Sequence, residues 1–355
     1  MSWVRIGARV RPGLEEEGMS TQSDALPKPA NPKTISTGQR IAGGVVILVG
    51  VVFLIVTFVN DLFAVGPAFE ELIDDFRPLL AEESIATARA DLATLEAAGE
   101  EFQTSVAPEI GQQLGMTPEE FAAMTQAEYP AVAAGMQSLP EITQTFSGLI
   151  DTLESQRALF QSADEIPTED LPATTVPWGI TIAGIAAIII GLVMMFVRGR
   201  TGSILAVVLG VGLIAVPLIL SLPQKAADAD ELNENLQPVY TAELVAGAEQ
   251  AVATVAAMGT QMQTEMLPAL GQQLGLSTEE LGQFLAANYP ATGAALQSLE
   301  ASLERFNGFA ATFAANLDNY ETLKDVKLLP IVWTLIIGGV VVVLAGGVGI
   351  VVKAQ

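Results

Sequence analysis

The chain has 355 residues, of which 50% are hydrophobic, and its formal net charge is −24. A mean hydropathy of +0.45 is typical of membrane proteins. Cysteine and histidine are both absent, which excludes disulfides, the usual zinc and haem ligand sets, and Ser-His-Asp or Cys-His catalysis. We therefore predict no catalytic residue, no cofactor and no metal site, and we expect that the protein is not an enzyme.

Residues 1–40 are polar and contain Pro27, Pro29 and Pro32, which predicts a disordered N-terminal tail without a continuous helix. The run Met19-Ser20-Thr21 resembles a natural start. A working hypothesis is that the natural protein starts at Met19 and that residues 1–18 are not part of it.

Four uncharged apolar runs follow, each long enough at about 1.5 Å per residue to cross roughly 30 Å of hydrocarbon. They predict an all-α membrane protein with four transmembrane helices. The first run is not followed by a small-residue cleavage site, so we interpret it as a retained anchor. The predicted order after the tail is TM1 41–65, a helical domain 66–176, TM2 177–197, a loop 198–200, TM3 201–222, a second helical domain 223–329, TM4 330–352 and a C-terminal end 353–355.

The positive charges near the spans predict the orientation. Arg40 precedes the first span, Arg198 and Arg200 lie in the short loop, and Lys353 follows the last span. Because basic residues accumulate on the cytoplasmic side, both termini and the loop are predicted to be cytoplasmic. The segments 66–176 and 223–329 are then extracytoplasmic. They hold 21 acidic against 3 basic residues and 14 against 4, respectively, which argues against nucleic-acid binding.

The sequence contains an internal repeat. Between Gly111–Leu139 and Gly271–Leu299, 15 of 29 aligned positions are identical. The offset between the units is constant through the first part of each unit and becomes smaller after a short deletion, so that Trp178 aligns with Trp333. Because each unit begins and ends on the same side, we predict a tandem parallel repeat with a pseudo-two-fold axis along the membrane normal.

The most similar stretch of the two units predicts a tight corner between helices. Gly115 suits a helix C-terminus that needs a positive φ, and Thr117, Pro118 and Glu120 form the pattern of a capping box. The second unit keeps this pattern with Ser277 and Glu280 in equivalent positions. A short helix should follow in each unit and end before the Tyr-Pro pair.

The remainder of each outer segment has the composition and apolar spacing of helices. We predict a long extracytoplasmic helical hairpin in each unit, with its rising helix kinked at Pro78 or Pro238. Because one hairpin alone would leave its apolar stripe in water, we expect the two to pack as a four-helix bundle.

Within the spans, small residues recur every four positions and predict close helix packing. The predicted ladders are Gly179, Ala183, Ala187 and Gly191 in TM2 and Gly202, Ala206 and Gly210 in TM3.

No span core contains an ionisable residue, which disfavours a coupled transporter. Clusters of carboxylates occur outside the spans, as at Glu70-Glu71 with Asp74-Asp75 and at Asp164-Glu165 with Glu169-Asp170. Carboxylates four apart on a helix could collect calcium, but no cluster has the calcium-loop pattern. A solvated acidic face is the favoured interpretation.

The candidate partner-binding residues are the polar and aromatic side chains that the two units share near their corners. Their amides and phenols can bind a protein or a glycan, or they can satisfy backbone groups and fill the corners. These residues are Gln112, Gln113, Tyr129, Gln272, Gln273 and Tyr289.

Low lysine with abundant alanine, valine and glycine indicates a bacterium with a GC-rich genome. The sequence predicts a non-enzymatic, multi-pass protein of the bacterial cell envelope that scaffolds or binds partners through an acidic extracytoplasmic domain. The expected partners are the lipid bilayer, further copies of the chain, and other envelope proteins. Two alternatives stay open: a channel or export-complex component, and a ligand-binding sensor subunit.

Overall fold

The computed structural model describes residues 36–168, 171–197 and 199–351. Over these residues the chain is almost entirely α-helical and forms no β-strand, which confirms the all-α fold class. The predictions about the tail before Ser36, the alternative start at Met19, Arg198, the pair Glu169-Asp170 and the C-terminal end 353–355 lie outside the described residues.

Helices follow one another with short connections. One π-helical turn, π1 Phe102–Val106, joins α3 to α4, and a second, π2 Met262–Met266, joins α10 to α11. The bounds of α3, π1 and α5 recur at the aligned positions of the second unit in α10, π2 and α12. The α-helices in chain order are α1 Thr37–Val59, α2 Leu62–Phe76, α3 Glu82–Glu101, α4 Ala107–Gln113, α5 Pro118–Glu128, α6 Pro130–Asp164, α7 Thr175–Phe196, α8 Thr201–Ile219, α9 Leu222–Leu236, α10 Ala242–Gln261, α11 Leu267–Leu274, α12 Thr278–Asn288, α13 Pro290–Ala315, α14 Leu317–Leu323 and α15 Leu328–Val351.

Four of these helices, α1, α7, α8 and α15, are long and apolar enough to cross a membrane, with 23, 22, 19 and 24 residues. These four helices are compatible with an integral membrane protein. The predicted first span extended to residue 65, whereas α1 ends at Val59. The helix ends there because Asp61 has a left-handed backbone with φ 47°, and Ser221, with φ 55°, ends α8 in the same way.

Glycine pairs hold the apolar helices together. A Cβ atom on Gly50 of α1 would lie 2.5 Å from the carbonyl oxygen of Gly184 in α7, and one on Gly43 would lie 2.7 Å from that of Gly191. Gly210 of α8 meets Gly339 of α15 at the same kind of distance, 2.6 Å. The close contacts recur every seven residues rather than every four, a spacing that suits left-handed helix crossings.

Of the ladders predicted in the spans, five members lie in helix contacts: Ala187, Gly191, Gly202, Ala206 and Gly210. Gly179 has open space at its Cβ position. The glycine that pairs with Gly50, Gly184, was not part of either ladder, because the ladders followed a spacing of four.

A second bundle is formed by the helices between the spans, and its centre consists of α3, α6, α10 and α13. Each half of the chain supplies two of these helices. α3 packs on α13, and α6 packs on α10, so each half lies against helices of the other. Phe146 and Phe306, which occupy aligned positions of the predicted repeat, meet edge to face with their ring centroids 5.2 Å apart. The core is therefore shared by both halves.

Polar contacts cap the long helices across the two halves. The Oε2 atom of Glu101 accepts a hydrogen bond of 2.7 Å from the backbone N–H of Thr292, near the start of α13. The Oε1 atom of Gln261 accepts from the backbone N–H groups of Ala131 and Val132 at 2.8 and 3.2 Å, near the start of α6. Such caps satisfy N–H groups that lack a partner within their own helix.

The predicted kinks at Pro78 and Pro238 are helix ends in the structure. α2 ends at Phe76 and α9 ends at Leu236, and the chain resumes as a helix at Glu82 or Ala242. Proline removes a backbone donor and its ring crowds the preceding turn, which stops these helices. The rising arm is thus a series of shorter helices rather than one long rod.

Candidate functional site

We call residues 102–129 and 262–289 the tip. Here Gly115 and Gly275 have φ of 72° and 74°, which confirms the predicted left-handed corner. Both predicted capping boxes are also present. The Thr117 side chain accepts from the backbone of Glu120, whose carboxylate accepts from the Thr117 N–H at 2.8 Å. Ser277 and Glu280 do the same in the second half. These caps fix where α5 and α12 begin.

The candidate partner-binding residues divide into two groups. Gln112, Gln113, Gln272 and Gln273 are exposed on the tip. Tyr129 and Tyr289 are buried in the core that both halves share. The glutamines can meet a partner directly, whereas the tyrosine rings contribute to packing. Partner binding by this set stays a prediction.

Tyr289 links the two halves at the tip. Its hydroxyl donates a hydrogen bond of 2.5 Å to the Oε2 atom of Glu109, which lies in the first half of the chain. Burial, followed by the hydrogen bond and the negative charge of Glu109, raises the pKa of Tyr289 to about 12. The hydroxyl therefore stays protonated and keeps donating over the whole neutral range.

We expect the folded protein to show little tyrosinate near pH 10, where a free tyrosine is about half ionised. Burial also raises the pKa of Tyr320 to about 12 and the pKa of Tyr129 and Tyr240 above the ordinary value. These are all four tyrosines of the chain. An ultraviolet titration of the tyrosinate absorbance measures this, with the guanidinium-unfolded chain as the control.

The same shifts predict how the stability depends on pH. Because the folded state raises these pKa values, their contribution to stability is complete below about pH 10 and is lost as the pH rises toward 12. Ordinary titration near pH 10 in the folded protein would contradict the packing of these rings.

The surface between the spans carries an excess of negative charge. All seven basic residues of the segments 66–176 and 223–329 form ion pairs within the protein. From residue 90 to 156, and from 226 to 304, the sequence has 11 acidic residues each and no basic one. The tip lies within these stretches and is thus strongly anionic. The pairs are Arg77 with Asp74 and Asp164, Arg89 with Asp151 and Glu154, Arg157 with Glu82, Lys225 with Glu165, Arg305 with Asp91, Lys324 with Glu321, and Lys327 with Glu234.

Two aspartates of the acidic cluster on α2 contact other side chains of the protein. Asp74 pairs with Arg77 at 2.8 Å, and Asp75 accepts a hydrogen bond of 2.8 Å from Asn316. In residues 36–168, 171–197 and 199–351, no group of three acidic side chains is arranged to hold a metal ion. The Asp75–Asn316 contact attaches α2 to the second half of the chain.

We call the bundle centred on α3, α6, α10 and α13 the polar bundle. A cavity, which we call the junction cavity, lies where the four apolar helices α1, α7, α8 and α15 meet this bundle. Its volume is about 140 Å³. α2 and α7 from the first half, and α9, α14 and α15 from the second, provide its walls. The walls are nearly all apolar, with Val65, Phe69, Ala226, Leu328 and Ile331 among them.

Inside the membrane bundle itself, large apolar side chains fill the centre. Phe53 is 1% exposed, and Val46, Met194 and Val342 are fully buried. Phe53 also packs against Gly338 of α15. A continuous water-filled path through one copy of the chain does not fit this packing.

Comparison with protein-family models, with curated proteins and with solved structures gives no match. The residues and their geometry are therefore the basis for the protein's function.

Sequence reasoning missed the junction cavity. Its walls come from both halves, and they include small residues such as Ala226 and Ala229, which leave its space open. Asp61 and Ser221, which have positive φ, directly precede α2 and α9, and these helices form part of its walls. The sequence signal that was available is a polar residue at the same place after two apolar runs, Asp61 and Ser221. Because polar residues follow many membrane spans, this signal does not by itself predict a cavity.

Proposed function

We propose that this protein is a non-enzymatic integral membrane protein of the bacterial cell envelope, which binds or scaffolds partners through its acidic helical domain. The observation that carries the proposal is the interlocked bundle whose basic residues are all paired internally. A shared core makes the domain rigid, and the unpaired acidic residues remain to face a partner. Rigid presentation reduces the entropy lost on binding.

The proposed orientation places both termini in the cytoplasm and residues 66–176 and 223–329 outside. Arg40, before the apolar core of α1, and Arg200, between α7 and α8, support it by the positive-inside rule. The acidic segments carry few basic residues, which agrees with a location on the far side of the membrane.

The proposed architecture is a tandem parallel repeat with a pseudo-two-fold axis along the membrane normal. The sequence identity and the recurrence of helix bounds at aligned positions support it. So does the Phe146–Phe306 contact, because a residue meets its own equivalent only next to a two-fold axis. The Gly50–Gly184 and Gly210–Gly339 contacts are equivalent under the same repeat.

The chemistry of the tip favours a basic partner. An anionic surface without free basic residues steers cationic proteins toward it and repels anionic ones. A second copy of this chain would meet the same negative charge, so self-association through the tip is the weaker option, and oligomers would form through other surfaces.

A second candidate function is a ligand-binding sensor subunit, which is favoured by the junction cavity and by a shallower pocket of about 330 Å³ at the tip, lined by Phe102, Phe121 and Met136 among others. The voids that we find between the long helices of the polar bundle, about 20 and 50 Å³, are too small for most metabolites. The filled membrane bundle counts against a channel made by one copy.

Single cysteines test the main proposal, since the chain has none of its own. A membrane-impermeant photocrosslinker that reacts with thiols is added to intact cells that express Gln112→Cys, Gly247→Cys or Thr201→Cys. All three positions are exposed, and Gly247 has open space for a side chain. We expect labelling at positions 112 and 247 but not at 201, and a protein adduct after illumination at 112 alone.

The outcomes separate orientation from partner binding. Labelling at 201 without labelling at 112 would overturn the orientation. Labelling at 112 without any adduct, or with the same adducts as at 247, would count against partner binding through the tip. An adduct of twice the chain mass would identify a second copy as the partner.

A further inference from the structure

We infer that the junction cavity binds the end of one acyl chain of a bilayer phospholipid, whose headgroup stays outside the cavity. This inference goes beyond partner binding at the tip and does not depend on it. It requires only that α1, α7, α8 and α15 cross the membrane, for which their length and composition are sufficient.

Polar groups in the walls of the junction cavity are already occupied. The carboxylate of Asp230 accepts hydrogen bonds of 2.7 and 3.1 Å from the backbone N–H groups of Leu328 and Leu329 at the start of α15. The amide of Asn233 donates to the backbone carbonyl of Lys324 at 2.9 Å, and the Tyr320 hydroxyl donates to the carbonyl of Asn233 at 3.3 Å. The Asp230 carboxylate, the Asn233 amide nitrogen and the Tyr320 hydroxyl are thus engaged within the protein, and the rest of the wall is apolar, so an apolar ligand fits best.

The size of the cavity also fits an apolar chain end. An apolar cavity of about 150 Å³, engineered in another protein, stays dry and binds benzene or xenon. The junction cavity has a comparable volume of about 140 Å³ and similar walls. It is therefore large enough for several methylene groups, and its mainly apolar walls favour an apolar ligand.

The depth of the cavity determines which apolar ligand is available. Trp178 and Trp333 are 59% and 46% exposed and directly follow the wall residues Pro177 and Val332. Exposed tryptophans at the ends of spans lie at the level of the lipid headgroups. The cavity thus lies at the boundary between headgroups and acyl chains, where the phospholipids of the surrounding leaflet are the most concentrated apolar molecules.

The walls near the membrane leave room for entry. Val176, Val332 and Leu335 are only partly buried on the first turns of α7 and α15. An acyl chain that bends between these helices can enter from the bilayer without crossing water. Because both halves line the cavity, a bound chain contacts both and stabilises their association.

The test uses the full-length protein in detergent, with palmitoyl-oleoyl-phosphatidylglycerol as the probe and dioctanoyl-phosphatidylglycerol as its short-chain counterpart. We expect the long-chain lipid to raise the thermal unfolding midpoint by mass action and the short-chain lipid to raise it much less. Ala226→Leu, which fills the cavity, should lose at least half of the lipid-dependent shift. Ala64→Leu adds the same group to the exposed face of α2 and should respond like the wild type.

A chemical measurement covers the case in which Ala226→Leu fails to fold. Ala226→Cys places the single thiol of the chain in the cavity wall. Long-chain lipid at about ten times its Kd should slow alkylation of this thiol by N-ethylmaleimide about tenfold.

Three results would overturn the inference. One is an equal midpoint shift with both lipids, since this would indicate a headgroup effect. Another is a full lipid response in folded Ala226→Leu. The third is an alkylation rate of Ala226→Cys that does not change with lipid.

Discussion

Replacing Gly50 by alanine should destabilise the protein by about 1–3 kcal/mol, because the new methyl group overpacks a helix contact. Its Cβ atom would lie 2.5 Å from the carbonyl oxygen of Gly184 and 3.0 Å from the backbone nitrogen of Ile188. Backbone atoms cannot move aside as a flexible side chain can, so α1 and α7 must separate. Unfolding in detergent micelles, followed by circular dichroism, measures the loss.

The matched control for this glycine is Gly44→Ala. Gly44 also lies in α1, but no atom of another helix lies within 4 Å of the Cβ position there. We expect this variant to be neutral or slightly more stable, since alanine favours helices. Gly210→Ala should behave like Gly50→Ala, because its Cβ would lie 2.6 Å from the carbonyl oxygen of Gly339. Equal stability of Gly44→Ala and Gly50→Ala would contradict the glycine contacts.

Replacing Arg305 by methionine should cost about 1.5–3 kcal/mol, because it leaves a carboxylate without its hydrogen bond. The Nε atom of Arg305 in α13 donates to Asp91 of α3 at 2.6 Å, and the Asp91 side chain is only 10% exposed. Methionine retains much of the apolar stem, so the variant removes mainly the guanidinium group. The pair joins the two halves, so the loss should also appear as easier proteolysis of the polar domain.

Arg89→Met is the control for this arginine. Arg89 pairs with Asp151 and Glu154 of its own half, but all three side chains are more than half exposed. Exposed ion pairs contribute about 0–1 kcal/mol. A loss at Arg89 as large as that at Arg305 would show that burial does not distinguish the two pairs.

Local features were predictable from the sequence because the residues that determine them are neighbours in the chain. Gly115, Thr117 and Glu120 define a corner through contacts within one short stretch, and the structure has the expected backbone. The four apolar helices were likewise predictable from length and composition. The tyrosines before Pro130 and Pro290 end their short helices as predicted.

Features that depend on contacts between distant residues were not predictable in detail. Glycines spaced four apart indicated helix packing, but the partner helix selects the glycines spaced seven apart, such as Gly43 and Gly50. The sequence showed Glu101 as one more acidic residue, whereas it caps a helix of the other half. The junction cavity is likewise a property of the assembled halves, and no single stretch of chain encodes it.

The packing of α3 on α13 and of α6 on α10 joins the two halves of the chain, and this has a consequence for biosynthesis. Asp91 and Arg305 are 214 residues apart, and at about 5–20 residues per second the ribosome needs roughly 10–40 s to make the intervening chain. For part of this interval α3 and α6 exist before α10 and α13 are made, so the apolar faces that will contact α13 and α10 are not yet covered by them. The newly made first half is then a substrate for chaperones and proteases until translation of the second half is nearly complete.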